Sequence, residues 1–237
     1  MSPSLLAFIL LLITTVYFSI KLKKLTLLGA ITGGLIACCI FTGVGFTGII
    51  MIGLFFIIGS WVTTWKIAVK QALDAAEKQH GKRTASQVLA NGTVPGIMGL
   101  LAWKFPDSAR WFECMMAAAL AAATADTISS ELGTLYGKKF YNISSFQPGK
   151  RGENGVVSYE GTLLGLLGSM IIAVTYCLGF GFTIHFVWII IAGTAGNIAD
   201  SILGATLERK QVINNDIVNF LNTLFAGLVA GLLLAIF

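Results

Sequence analysis

Apolar residues run through this chain in blocks close to the ~20 positions needed to cross a hydrocarbon core. The pattern predicts eight helical spans, roughly 4–20, 25–42, 45–63, 86–103, 110–132, 158–180, 184–207 and 216–236. Gly43, Gly45 and Gly48 separate the second span from the third. Pro106 and Asp107 break the chain between the fourth and fifth, and Gly179 and Gly181 turn it between the sixth and seventh. One stretch differs. Residues 65–83, "WKIAVKQALDAAEKQHGKR", alternate charge with Ala, Ile, Val and Leu at helical spacing. They predict a cytoplasmic amphipathic helix lying near the headgroups, with Asp74 and Glu77 on its wet side and Gly81 ending it.

Composition agrees with the pattern. Of 237 residues, 56% are hydrophobic and 11% charged, against about 25% charged in ordinary soluble domains. The expected fold class is an all-α polytopic membrane protein, with residues 1–237 forming one membrane-embedded helical domain. The first apolar run, Leu5 to Ile20, lacks a basic leader and a small-residue cleavage site and is expected to be a retained helix. Cys38, Cys39, Cys114 and Cys177 lie in apolar stretches without zinc-type spacing and are expected to pack as small hydrophobes. His80 and His185 are isolated and suggest no metal site.

The net charge of +5 changes meaning once the cations are placed. Lys21, Lys23 and Lys24 fall in the first connection; Lys66, Lys70, Lys78, Lys82 and Arg83 in the third. Lys138, Lys139, Lys150 and Arg151 fall in the fifth; Arg209 and Lys210 in the seventh. Only Lys104 and Arg110 lie elsewhere. The positive-inside rule puts these four connections in the cytoplasm and both termini outside. The charge is therefore a topology signal, and no nucleic-acid partner is expected.

Acidic residues at span ends are costly and usually face the bundle interior. "ATADTISSELG", residues 123–133, aligns Asp126, Ser130 and Gly133 on one helical face, with Glu131 on the next turn. "GNIADSILGATLERK", residues 196–210, aligns Asp200, Gly204 and Glu208, and Gly204 leaves a notch where a phosphate or another backbone could approach. The two strings share an Ala-Asp-Thr/Ser-Ile core, as an internal repeat would. "NNDIVNFLNTLFAG", residues 214–227, puts Asn215, Asn219 and Asn222 on one face with Asp216 beside it. Amides facing lipid would go unsatisfied, so this face should look inward.

Paired carboxylates beside Lys, Arg and glycine-rich loops suit Mg²⁺ and the phosphates it bridges. "HGKRTASQVLANG", ending at Asn91 and Gly92, and "QPGKRGENGVVS", containing Asn154 and Gly155, each place Gly and Lys-Arg ahead of a span. A helix N-terminus there favours an anion. Neither is a P-loop. The plainer alternatives are that Asp126 and Asp200 glue helices together and that Glu131 and Glu208 face water. Ser129 and Ser130 could simply back-bond to their own helix.

These residues resemble the integral-membrane family catalogued as domain of unknown function 92, which includes plant and cyanobacterial phytyl-phosphate kinases. The resembling segments are "GKRTASQVLANG", "ATADTISSELG", "PGKRGENGVVSYEGTLLGLLGS", "GNIADSILGATLE" and "NNDIVNFLNTLFAG", spread from Gly81 to Gly227. In one departure the chain reads "PGKRGENGVVS" where the family pattern is "PxGxxGGVS".

The resemblance implies a phosphotransferase acting on an isoprenyl monophosphate, with CTP as the nucleoside triphosphate and Mg²⁺ as cofactor. Carried onto these positions, Asp126, Glu131, Asp200 and Glu208 would hold metal. Lys82, Arg83, Lys150 and Arg151 would clamp phosphates. Asn91, Gly92, Asn154, Gly155, Asn197, Gly204, Asn215, Asp216, Asn219 and Asn222 would bind nucleotide or substrate. A homodimer is compatible. Two other readings stay open: a transporter built on repeated acidic helices, and a cytidylyltransferase making a CDP-lipid.

Overall fold

The computed structural model describes residues 2–73 and 82–237. The chain is almost wholly helical: α1 (Pro3–Lys21), α2 (Leu27–Thr64), α3 (Ile67–Ala72), α4 (Ala85–Lys104), α5 (Ala109–Tyr136), α6 (Tyr159–Phe180), α7 (His185–Leu203) and α8 (Asn215–Ile236). Among the described residues, α1, α2, α6, α8 and the stretch His185–Glu208 are long and apolar enough to cross a membrane. The protein is a polytopic all-α membrane protein. Helices α4 and α5 are less apolar and bury Asn91, Pro95 and Glu113.

The second and third expected spans are one helix by hydrogen bonding, but not one rod. Gly45 takes φ 65° and ψ −150° inside α2, a conformation only glycine adopts without strain. The chain folds back there. A Cβ on Gly29 would stand 3.0 Å from the Arg83 carbonyl oxygen, and one on Gly59 would stand 3.3 Å from Arg83 Cζ. A straight helix would hold those glycines roughly 45 Å apart. Both ends of α2 therefore lie at the same end of the bundle.

Helix α5 is the central post and touches α2, α4, α6, α7 and α8. Its segment Met116 to Ala125 is buried on every side. The sequence explains this, because the run is mostly alanine. Small side chains let five neighbours approach where lipid supplies no hydrophobic drive for association.

Of the amphipathic helix expected over 65–83, Ile67–Ala72 forms a helix, and residues 74–81 lie outside the described residues. The all-helical expectation also misses a small hairpin. Strand β1 (Phe140–Asn142) pairs antiparallel with β2 (Val156–Ser158), matching Phe140 to Ser158 and Asn142 to Val156. Aromatic and β-branched residues favour these strands, but each is only three residues long and sits among turn residues.

Candidate active site

Five helix ends and the hairpin meet at one end of the bundle. Helices α5 and α7 arrive with their C-terminal turns, and α4, α6 and α8 begin there. Each starting helix is capped. Thr84 and Gln87 form a reciprocal capping box on α4 (Thr84 N donates to Gln87 Oε1 at 3.0 Å), Ser158 Oγ accepts from Gly161 N at 3.1 Å, and Asn214 Oδ1 accepts from Ile217 N at 3.0 Å. Three positive helix ends thus surround a cavity of about 580 Å³.

Asp126 of α5 and Asp200 of α7 lie inside it, within hydrogen-bonding reach of each other. Asn222 of α8 donates from behind, Nδ2 to Asp200 Oδ1, at 3.3 Å. One turn along α5, Ser129 Oγ donates to Asn197 Oδ1 of α7 at 3.0 Å. The pair of acids is therefore held by cross-links between three helices.

Beyond Asp200 the helix widens. Residues Gly204–Glu208 form a π turn, a feature frequent at functional sites. The Glu208 carboxylate stays beside Gly204, 3.5 Å from where a Cβ on that residue would stand, and faces the Asn154 side chain. The notch at Gly204 is filled by backbone: a Cβ there would stand 3.1 Å from Gly155 N. Gly155 has φ 71°, and a Cβ on it would overlap Ala205. Arg209 ties the same hairpin down, donating to Glu153 Oε2 at 3.2 Å and to the Asn154 carbonyl at 2.8 Å.

The cavity brings together many of the expected residues: Arg83, Asn91, Asp126, Glu131, Asn154, Gly155, Asn197, Asp200, Gly204, Glu208, Asn215 and Asn219. Arg83 lies 5.0 Å over the Phe55 ring. Others stand outside the lining. Lys82 and Lys150 are exposed. Gly92 packs against Ile36. Arg151 lies over Phe140 and donates to the Gly137 carbonyl at 2.9 Å, so it fastens the hairpin to the end of α5. Asp216, in the first turn of α8, is outside as well.

Several lining residues stand outside the expected set, among them Gln87, Thr127, Thr134, Ser158, Thr162 and Ser201. The signal for two was present, since Thr134 lies one turn beyond Ser130 and Ser201 one turn beyond Asn197. Lys70 was also missed. It is fully buried, pairs with Glu131, and donates to the Val62 and Thr63 carbonyls at 2.9 and 2.6 Å.

The lining donors are carboxylates, amides, hydroxyls and backbone, with no Cys or His among the described lining residues. That set suits a hard cation such as Mg²⁺. Among the described residues no three carboxylates stand close enough to hold an ion unaided. Asp126 and Asp200 fit an ion that takes its remaining ligands from water and phosphate.

Comparison with known proteins agrees with the motifs. The family described as Integral membrane protein DUF92 matches residues 10–227. An uncharacterized membrane protein of Methanocaldococcus jannaschii is 36% identical over 194 residues, covering 80% of this chain and 77% of the relative. The chloroplastic protein VTE6 of Arabidopsis thaliana is 32% identical over 196 residues, covering 80% of this chain and 59% of VTE6. An uncharacterized membrane protein of Synechocystis is 33% identical over 197 residues, covering 81% and 75%. No solved structure matches the chain.

Proposed function

Because the chain belongs to the Integral membrane protein DUF92 family, we propose that it is an isoprenyl-phosphate kinase. It would move the terminal phosphoryl group of a nucleoside triphosphate, CTP as the expected donor, onto a phytyl or similar prenyl monophosphate. The observation that carries this reading is the Asp126–Asp200 pair, set in an oxygen-lined cavity at one end of an apolar bundle. A prenyl tail needs hydrocarbon and a polyphosphate needs water, so their reaction belongs at such a boundary.

An oxygen of the acceptor phosphate attacks the γ-phosphorus. The bond to the β–γ bridging oxygen breaks, and its electron pair leaves with the nucleoside diphosphate. The acceptor is already an anion at neutral pH, so no strong base is required. Positioning and charge neutralisation carry the rate. Asp126 and Asp200 would hold Mg²⁺, which when bound neutralises phosphate charge. Arg83 binds the phosphoryl group being transferred. Asn91, Asn197, Asn215 and Asn219 orient phosphates and base.

We count eight crossings, two of them from the folded α2. The cavity end is cytoplasmic, because it carries nearly all the connecting Lys and Arg. The test is purified protein with Mg²⁺, a panel of prenyl monophosphates and CTP labelled in either the α- or γ-phosphate. Transfer of γ-label to lipid is expected. Transfer of α-label would mean a cytidylyltransferase, and ion uptake into liposomes without labelled lipid would mean a transporter.

A further inference from the structure

Five carboxylates line the cavity, those of Asp126, Glu131, Glu153, Asp200 and Glu208. Arg83 is the one cation among the described lining residues. A polyphosphate entering such a cavity would meet net repulsion. Two of the acids are paired with cations that stand behind the wall. Arg209 reaches Glu153, but both side chains are nearly half exposed, and such pairs contribute little. Lys70 is different. Its side chain is 1% exposed, and its ammonium rests on two carbonyls of the last turn of α2 and on Glu131. All three of its hydrogens have oxygen acceptors. The negative end of α2 helps to hold the charge there. The ion pair joins α2 and α3 to the turn of α5 that follows Asp126.

We propose that Lys70 is a positioning residue of the phosphate site: it cancels the Glu131 charge from behind the wall and so lets the cavity accept a polyphosphate. Glu131 then serves as a fixed, neutralised wall and not as a metal ligand. For its ligand class the inference rests on the kinase reading.

The test uses full-length protein in detergent and Mg²⁺ with inorganic pyrophosphate as the probe, followed by calorimetry. Lys70→Met takes away the ammonium behind Glu131 and should weaken pyrophosphate binding about tenfold, with nucleotide KM rising and kcat nearly unchanged. Lys70→Met with Glu131→Gln removes both charges and should return binding to within about threefold of wild type. A double variant as weak as Lys70→Met would make Lys70 a structural strut and overturn the proposal, as would wild-type binding by Lys70→Met. If Lys70→Met does not fold, the double variant decides alone, because it removes both members of the Lys70–Glu131 pair. Near-normal affinity supports the proposal and a tenfold loss overturns it. Pyrophosphate binding that follows this pattern, without label transfer to any prenyl phosphate, would sink the kinase reaction and leave the role of Lys70 standing. A wild type that binds no pyrophosphate sinks both.

Discussion

Asn222 donates its side-chain amide to Asp200 across the contact between α7 and α8, at 3.3 Å. The residue is fully buried, and its own Oδ1 has no hydrogen-bond partner among the described residues. Its amide therefore acts on Asp200, fixing which way that carboxylate turns. Asn222→Ala should lower kcat about tenfold or more with little change in KM for either substrate, because it loosens a group acting on the transition state. Steady-state kinetics on purified protein would show the split.

In the proposed reaction Asp126 and Asp200 act as a unit. Asp126→Asn and Asp200→Asn should each reduce turnover by about a thousandfold, the scale of losing metal-held charge stabilisation. The double variant should be no worse than either single one. Far-UV circular dichroism should remain that of the wild type, since asparagine keeps the shape. Chelation with EDTA should abolish wild-type turnover, and added Mg²⁺ should restore it.

Arg83 is held on the Phe55 ring at 5.0 Å, and its guanidinium lies against Gly59. Lysine cannot reproduce the planar stack or a forked contact with phosphate. Arg83→Lys should therefore lose most of what Arg83→Ala loses, about 10- to 100-fold in kcat/KM for the nucleotide. A lysine variant near wild type would reduce Arg83 to a simple positive charge.

Gly155 and Gly181 separate strain from function. Both have positive φ, 71° and 93°, but a Cβ on Gly155 would overlap Ala205 whereas one on Gly181 would meet open space. Gly155→Ala should lower stability by roughly 1–3 kcal/mol and impair turnover by pushing the hairpin off the π turn. Gly181→Ala should cost roughly 1–3 kcal/mol, because φ 93° with ψ 149° is backbone that few residues but glycine adopt, and should leave turnover intact. Thermal melts alongside activity would distinguish them.

How legible the sequence was depends on the residue. The apolar blocks of α6, α7 and α8 end near their expected positions, because Gly181 and Asn214 punctuate them. The convergence of Asp126 with Asp200 followed from helical periodicity and the cost of intramembrane charge. Arg151 misled, because Lys-Arg beside glycines reads as a phosphate loop whether the guanidinium meets a ligand or, as here, the Gly137 carbonyl. Lys70 gave no sign at all. A lysine among Ile, Val and Ala looks the same whether its ammonium faces headgroups or turns back onto the carbonyls that end the preceding helix. The π turn was hidden too, since hydrophobic period cannot reveal one residue of extra winding.

On the side away from the cavity, the chain reverses within α2 at Gly45, through Pro106–Ser108, and across the few residues between Phe180 and His185. Such tight reversals leave little slack for that rim to loosen by itself. Partial opening must start at the other rim, where the hairpin and the longer connections lie. Amide hydrogens of the hairpin should therefore exchange well before those around Gly45, and the protein should breathe from the end that holds the cavity.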